Sequence, residues 1–322
     1  MQSPNARPNA QIQNNELTLV RSFDAHEHAH NLRDWQQHYD QISAGNFTGH
    51  ILDRNLDGIQ TFTEYTSQAL TQSCLVWPDS IWLGIPHQQP EHSRINGLSL
   101  ETNDIMCRPG NTEFELVTPG DFHIYGIVIP QTILLDMAQQ QNIHLDLSNL
   151  KHHERLSLPT HTLSAIKFVL SRLLQTEENH APLPPQHLAK DLITMGLIDI
   201  LKNETPNEDV ATSYRHRHRI VQSARDFLEQ HHDRPITLSE LCQACHTSQR
   251  TLQNSFESIL GLSPIQYLRF TRLNGVRREL KKASQQETVG DIAARWGFWH
   301  LGQFAKDYKN VFSELPSESL EK

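Results

Sequence analysis

The chain has 322 residues, which is long enough for two domains that each have a core. It carries 28 lysines and arginines against 37 aspartates and glutamates, and its four cysteines and polar start predict a reducing, cytoplasmic setting without a secretory signal. No apolar run approaches the roughly 20 residues that span a bilayer, so no membrane association is expected.

The polar residues 1–20 are expected to be disordered. The sequence HEHAH follows and places three potential metal ligands, His26, His28 and His30, close together. The next apolar residues recur at helical spacing, namely Leu32, Trp35, Tyr39 and Ile42. We therefore predict that the histidines decorate the start of a helix and that there is no metal site, which leaves open any other role for them.

Residues 51–130 have a different pattern, because turn dipeptides separate short stretches such as SIWLGIP, EFELVT and DFHIYGIVIP. In the last stretch, Ile124 and Val128 point one way while Ile127 and Ile129 point the other. This predicts an antiparallel β domain, a sandwich or a small barrel. Four aromatic residues either line a pocket for a small effector or belong to the core: Trp77, Trp82, Phe114 and Tyr125.

The helical pattern returns after residue 131. One apolar stripe contains Leu163 and Leu170, and a second contains Leu188, Leu192 and the neighbourhood of Ile193 and Leu197, which predicts a helical hairpin. This hairpin completes a domain over residues 21–202 that we expect to sense an effector and to dimerise. The polar stretch NETPNEDVATS then indicates an interdomain linker, which we place at residues 203–216.

Residues 217–322 contain the same pattern twice. The segments TLSELCQAC and TVGDIAARW each begin with a threonine and have a carboxylate three residues later, which is a capping box. Each is followed by a turn and a second amphipathic helix, with apolar stripes Leu252, Phe256, Ile259 and Leu301, Phe304, Tyr308. The pattern therefore predicts an all-α domain of two tandem helix-turn-helix units.

The second helix of each unit carries polar side chains on the face opposite its apolar stripe. They are Arg250, Gln253 and Asn254 in the first copy and Gln303, Lys306 and Asn310 in the second. Arginine, glutamine, asparagine and lysine match base edges in the major groove, whereas one such face alone would equally suit a solvated helix. Between the copies, Ser263 and Pro264 begin a helix that we predict to reach Lys282 and to be roughly 28 Å long. Arg272 lies on its apolar arc and requires a partner, for which we select Asp291.

Charge is distributed unevenly between these regions. Residues 213–322 hold 16 basic and 12 acidic residues, and the remainder of the chain holds 12 basic and 25 acidic residues. Only the C-terminal region is therefore electrostatically suited to phosphates.

The segments GLSPIQYLRFTRL and WGF, at their spacing around the two units, resemble the DNA-binding domain of the AraC/XylS transcription regulators. The resemblance implies seven helices, with two reading helices that enter adjacent major grooves of double-stranded DNA. By position, the reading helices match residues 248–256 and 300–308. Ser248 and His300 lie near the starts of these helices, where we expect them to contact phosphates. Cys242, Cys245 and Gly302 depart from the family pattern, and we expect the two cysteines to pack in the core.

The resemblance extends to the N-terminal half, where family members have a cupin-like barrel for a small effector and helices that form a homodimer. Segments such as NLRDWQQHYDQISAGNFTG and WPDSIWLGIP are similar to regulators of ethanolamine utilisation in this family. Ethanolamine and a cobalamin are therefore the effectors to test, and no required cofactor is expected.

The sequence thus predicts an α+β protein with a cupin-like domain, a helical hairpin and a tandem helix-turn-helix domain. The expected function is a DNA-binding regulator, an effector-responsive activator of a catabolic operon that would contact RNA polymerase. No catalytic residue is identified. Two alternatives are a ligand-independent DNA-binding regulator and a cupin-type metalloprotein with a helical tail. The sequence does not decide the operator, the target genes, the effector or the oligomeric state. It also does not decide whether the protein activates or represses transcription.

Overall fold

The computed structural model describes most of the chain. The described residues are 17–88, 93–148, 150, 154–175, 185–202, 212–231, 234, 236–284 and 286–320. Among them, no helix has the length and apolar character needed to cross a membrane.

The described part of the N-terminal half forms two antiparallel sheets. The larger has the strand order β1 (Thr18–Ser22), β3 (Gly49–Leu56), β4 (Ile59–Thr66), β11 (Phe122–Pro130), β6 (Ser80–Pro86), β9 (Asp104–Pro109) and β12 (Arg155–Ser157). The smaller has the order β2 (Gln36–Gln41), β5 (Leu70–Leu75), β10 (Phe114–Thr118), β7 (Arg94–Ile95) and β8 (Leu98–Ser99). The prediction of an antiparallel β domain is confirmed.

The central strands of the larger sheet, β6, β9 and β11, are buried on both faces. Ile124 and Val128 enter the core between the sheets, whereas Ile127 and Ile129 enter a second core beneath the helices. This is the alternation predicted from the sequence. Gly126 lies where the ring of Phe62 crosses the strand, and a Cβ there would come within 2.0 Å of the ring.

The described residues of this half form four α-helices: α1 (Ala25–His28), α2 (Gln131–Gln140), α3 (Thr160–Leu173) and α4 (Gln186–Lys202). The predicted stripe of α3 is buried, including Leu163 and Leu170. The stripe predicted for α4 is wrong in part. Ala189, Ile193 and Leu197 face the core while Leu188 and Leu192 are exposed, because the core-facing arc is rotated by about one residue, or 100°.

The described part of the C-terminal domain consists of seven helices, as the resemblance implies. They are α5 (Thr212–Gln230), α6 (Leu238–Ala244), α7 (Gln249–Leu260), α8 (Pro264–Lys282), α9 (Val289–Arg295), α10 (Leu301–Phe312) and α11 (Pro316–Leu320). Both predicted capping boxes are present at the starts of α6 and α9, and Ser263 forms a third at the start of α8. The predicted bounds of α8 are confirmed.

The two helix-turn-helix units have separate cores. Phe256 and Ile259 pack with the N-terminal half of α8, whereas Phe304 and Tyr308 pack with its C-terminal half. Cys242 and Cys245 are half-buried against the first core, as expected.

The predicted partner of Arg272 is wrong. Its guanidinium donates to the backbone carbonyl of Ile236, while the Asp291 carboxylate accepts from Thr288 in the capping box of α9. The carboxylate is therefore committed to its own helix start.

The predicted helix through Leu32, Trp35, Tyr39 and Ile42 is also wrong. Asp24 caps α1, but this helix has only four residues, and the backbone turns at Asp34 with a φ of 63°. Residues 36–41 then pair with β5 as strand β2. The helical spacing of the apolar residues is a coincidence, because tertiary strand pairing overrides a short local pattern.

Two predicted boundaries also shift. Of the residues 1–20 predicted to be disordered, 1–16 lie outside the described residues. Residues 18–20 are ordered, because they belong to β1 and pair with β3. In the linker predicted at 203–216, residues 203–211 lie outside the described residues and 212–216 form the first turns of α5. The helical C-terminal region therefore begins several residues before 217, at the start of α5.

Candidate DNA-binding surface and its contacts with the β domain

The first reading helix, α7, presents its polar face to solvent. Ser248 caps it by accepting a hydrogen bond from the backbone N–H of Thr251. Arg250 and Asn254 are exposed and Gln253 is half-buried, while Leu252 on the opposite face is fully buried. The prediction that these polar residues point away from the core is confirmed.

The second reading helix, α10, repeats this arrangement after a turn that is one residue longer. Each reading helix is followed by a residue with a left-handed backbone conformation, Gly261 after α7 and Ser313 after α10. Aligning the two helices at this residue shows which of their positions are equivalent. Gln303, Lys306 and Asn310 are exposed, as predicted.

This equivalence changes two details of the repeat. Phe304 in α10 corresponds to Leu252 in α7, and Leu301 is half exposed, so its assignment to the apolar stripe is wrong. Gly302 corresponds to Arg250, which leaves the second helix without a side chain at that position. His300 occupies the N-cap of α10 but its side chain makes no capping hydrogen bond.

Hydrogen bonds orient both reading-face glutamines. The amide nitrogen of Gln253 donates to Glu257 over 2.5 Å, and that of Gln303 donates to Asp307 over 2.7 Å. Asp307 also pairs with Arg269 of α8. Each amide keeps its carbonyl oxygen and a second N–H for a base edge.

Sequence reasoning missed an exposed aromatic residue beside this surface. Trp299 precedes α10 and is 72% exposed, next to the exposed Leu301. A large apolar side chain left in solvent at the start of a reading helix is suited to contact sugar or thymine methyl groups. The WGF turn before it was a signal for the turn, but nothing in the sequence shows which of its aromatic residues faces outward.

The β domain contacts the C-terminal ends of both reading helices. Arg94 donates to the carbonyl of Ser258 in α7, and the backbone N–H of Gly45 and the amide of Gln41 donate to the carbonyl of Val311 in α10. The polar faces stay exposed, so these contacts hold the reading helices without covering them.

Ion pairs join the two domains, and in each of them that the described residues form, the β domain supplies the acid and the helical domain supplies the base. Asp24 pairs with Arg277 over 2.6 Å and with Lys281 over 3.0 Å, and Asp40 pairs with Arg278 over 2.6 Å. In these pairs the acids come from the β domain and the bases come from α8, and Glu115 of the β domain pairs in the same sense with Arg225 of α5. Burial would raise the pKa of Asp24, but the charges and hydrogen bonds of Arg277 and Lys281 outweigh it and lower the pKa to about 2.

The four aromatic residues predicted for an effector site do not meet in one cavity. Trp82 and Phe114 stack at 4.6 Å between the sheets and are fully buried, so that the space left beside Trp82 is only about 10 Å³. Trp77 lines a separate open cavity of about 760 Å³. Tyr125 lies on the opposite face of β11, within the core beneath the helices.

The three histidines of HEHAH point in different directions. His28 is completely buried, with its Nε2 3.0 Å from the Glu64 carboxylate, which also accepts a hydrogen bond from Tyr39. The rings of His26 and His30 are 4.7 Å apart on the outer side, where burial and the charge of Arg278 lower the pKa of His26 to about 4. No group of three or more potential metal ligands occurs among the described residues.

Comparisons with known proteins identify what the chain is similar to. A family model described as a helix-turn-helix domain matches residues 241–322. The probable thc operon regulatory protein of Rhodococcus erythropolis is 40% identical over 102 residues, which cover 31% of each chain. The XylDLEGF operon transcriptional activator 2 of Pseudomonas putida is 31% identical over 136 residues, which cover 42% of this chain and 83% of that one. The solved structure of the AraC-like transcriptional activator CuxR matches 87% of this chain and all of its own, at 12% identity and a TM-score of 0.43.

The chain spans 31% of the length of the Rhodococcus relative and 66% of another Pseudomonas putida activator of the XylDLEGF operon. These relatives are named as transcription regulators, and none of them is named as an enzyme. The tandem helix-turn-helix architecture and this similarity lead to one conclusion, that the chain belongs to the AraC/XylS family of transcription regulators.

Proposed function

We propose that this protein is a sequence-specific DNA-binding regulator, an effector-responsive activator of a catabolic operon. The observation that carries the proposal is the pair of reading helices, which present exposed polar faces from separate cores at opposite ends of one 19-residue helix, α8. At 1.5 Å per residue this helix is roughly 28 Å long, which suits the ~34 Å between successive major grooves.

Base reading is assigned to Arg250, Gln253, Gln303 and Lys306. Arg250 and Lys306 take part in no ion pair among the described residues, so their charges are available to DNA. Asn254 and Asn310 contact bases or backbone, and Ser248 and His300 contact phosphates near the helix starts. Activation implies a contact with RNA polymerase, and DNA binding implies a cytoplasmic location.

Arg250→Ala is the direct test of sequence reading. We expect it to reduce the preference for the operator over a base-substituted operator by about 1–3 kcal/mol, because one arginine can bond two acceptors of a guanine. The operator is first identified by mapping genomic binding sites, and affinities are then measured by fluorescence anisotropy at one salt concentration. Arg295→Ala is the matched control, since Arg295 is bound to Glu279 and Glu287. Unchanged selectivity in a folded Arg250→Ala protein would remove Arg250 from the reading set.

The effector-binding part of the proposal rests on the two-sheet domain. The cavity beside Trp77 has the volume of a small-molecule site, whereas the space beside Trp82 would have to open to admit a ligand. Calorimetric titration with ethanolamine and with a cobalamin tests whether the similarity to regulators of ethanolamine utilisation extends to the effector. A ligand-independent regulator would bind neither and would show no thermal shift with any metabolite.

Homodimerisation is assigned to the outer face of α4. Leu188, Leu192 and Met195 recur at helical spacing on this face, and each is nearly half exposed. We expect Leu192→Glu to weaken dimerisation at least tenfold in sedimentation equilibrium, because the carboxylate would lose its water at an apolar interface. Leu135→Glu, at a similarly exposed position on α2, should leave the assembly unchanged. A wild-type protein that is monomeric at micromolar concentration contradicts this assignment.

A further inference from the structure

Asp307 belongs to the second reading helix, α10, but does not lie on its exposed face. Its side chain is only 11% exposed, whereas Gln303, Lys306 and Asn310 on the same helix lie in solvent. A carboxylate beneath a surface that binds DNA is unfavourable, because burial removes its water and its charge repels phosphates. Its position therefore requires compensation from neighbouring side chains.

Two side chains compensate the Asp307 carboxylate. The guanidinium of Arg269, on α8, pairs with its Oδ1 atom, and the amide nitrogen of Gln303 donates to the same oxygen over 2.7 Å. Gln303 lies one helical turn before Asp307, so their side chains are neighbours along α10. Because Arg269 belongs to a different helix, the carboxylate is held from two sides. The carboxylate in turn fixes the orientation of the Gln303 amide.

This hydrogen bond determines which atoms Gln303 offers to DNA. A free glutamine amide can turn so that it presents either two N–H groups or a carbonyl oxygen with one N–H. Asp307 accepts one N–H, and a carbonyl oxygen and one N–H remain. A flip would place the carbonyl oxygen against the carboxylate, where neither group can donate. The edge of Gln303 that is left for DNA is therefore one acceptor beside one donor.

Adenine is the base whose major-groove edge complements this pattern. It presents the N7 acceptor beside the N6 amino donor, so both remaining groups of the amide are used. Guanine presents two acceptors, N7 and O6, and its O6 would lie against the carbonyl oxygen of Gln303. Cytosine and thymine each complement only one of the two groups.

We propose that Asp307 is a positioning residue that makes Gln303 select adenine, and that Arg269 holds Asp307 in place for this role. This assignment rests on the proposed function, because it names the base that one residue of the reading surface recognises. Asp307 touches no base and acts only through the amide of Gln303. Arg269 also neutralises the charge that would otherwise repel DNA phosphates.

A similar pair on the first reading helix is held less firmly. Gln253 donates to Glu257, which also lies one turn further along its helix, over 2.5 Å. Glu257 is exposed and takes part in no ion pair among the described residues. Water competes for an exposed carboxylate, so the Gln253 amide can turn more easily. We therefore expect a stricter preference for adenine from Gln303 than from Gln253.

The test uses the full chain and begins with selection of bound sequences from random DNA. The position that Gln303 reads is the one whose base preference disappears in Gln303→Ala, a change at an exposed side chain. There we expect the wild type to bind the adenine operator about tenfold or more tightly than the guanine operator, by fluorescence anisotropy at one salt concentration.

The role of Asp307 is tested by the same ratio of affinities. Asp307→Ala should still bind the operator but should favour adenine by about threefold or less, because the amide can then turn and donate twice to guanine. Asp307→Asn, which keeps the size of the side chain, should lose the preference as well, because its own amide can either accept or donate. A purely structural carboxylate would affect both operators equally and leave the ratio unchanged.

Glu257→Ala is the matched control. It removes the acid partner of a glutamine on the other reading helix, so the preference at the position read by Gln303 should stay as in the wild type. A change of that preference in Glu257→Ala would contradict a local role of Asp307.

Three further outcomes overturn the assignment. They are a wild type that prefers another base at this position, an adenine preference that persists in both Asp307 variants, and equal losses of affinity for the two operators. Circular dichroism shows whether the variants are folded, and the comparison of the wild type with Gln303→Ala does not depend on them. A chain that binds no DNA selectively would overturn the proposed function together with this assignment. A chain that binds an operator without the adenine preference would overturn the assignment alone.

Discussion

Phe256→Ala is expected to destabilise the first helix-turn-helix unit by about 3–5 kcal/mol. The Phe256 ring is 0% exposed, lies on the inner face of reading helix α7 and packs edge-on against Tyr267 of α8. Its removal leaves a cavity that the helices around it can fill only in part. Chemical denaturation of the full chain measures this loss.

The functional result of Phe256→Ala should be confined to one half of the operator. The second unit has its own core, in which Phe304 is also buried, so its reading helix should stay folded. Chemical footprinting should show lost protection at one half-site for Phe256→Ala and at the other half-site for Phe304→Ala. Ser258→Ala, at an exposed position on α7 outside the proposed reading set, is the control for a side-chain truncation in this helix. Simultaneous loss of both half-sites in each variant would contradict separate cores.

The C-terminal domain could be predicted closely because its signals are local. A capping box involves residues three apart, and Ser263 with Pro264 fixes the start of α8 without any distant contact. The errors in this domain concern details that local patterns do not encode. Leu301 has apolar character but lies at the helix start, and the partner of Arg272 is a backbone carbonyl that comes from another part of the chain.

The N-terminal half was less predictable because its structure depends on distant pairing. Strand β2 exists through its register with β5, and the spacing of Trp35 and Tyr39 fits a helix equally well. The uneven charge distribution is visible in the sequence and by itself indicates only that the C-terminal region suits phosphates. In the structure it also joins the domains, since acids of the β domain face bases of α8.

Arg277→Ala is expected to cost about 3 kcal/mol of folding stability and to loosen the contact between the domains. Its guanidinium bonds Asp24 and Glu314, each over 2.6 Å, lies over the ring of Phe312, and is only 12% exposed. Removing it leaves two carboxylates with too few partners, although Lys281 still compensates Asp24. Limited proteolysis and denaturation measure the two effects.

The matched control for Arg277→Ala is Arg295→Ala. Arg295 also bonds two carboxylates, but its side chain is 47% exposed, so its removal should cost less than about 1 kcal/mol. Equal losses in the two variants would show that burial of the Arg277 network contributes nothing.

The dependence of stability on pH distinguishes a lost ion network from lost packing. The pKa of Asp24 is lowered from 3.8 to about 2 in the folded protein, so the folded state holds this carboxylate ionised where the unfolded state binds a proton. Its contribution is therefore fully present above pH 4 and is lost as the pH falls towards 2. In Arg277→Ala the folded pKa of Asp24 moves back towards 3.8, and the loss of stability between pH 4 and 2 should become shallower than in the wild type. If the slope of the wild type persists in Arg277→Ala, other carboxylates cause the acid sensitivity. The first of these to test is Asp40, whose pKa beside Arg278 is also about 2, with the variant Asp40→Asn.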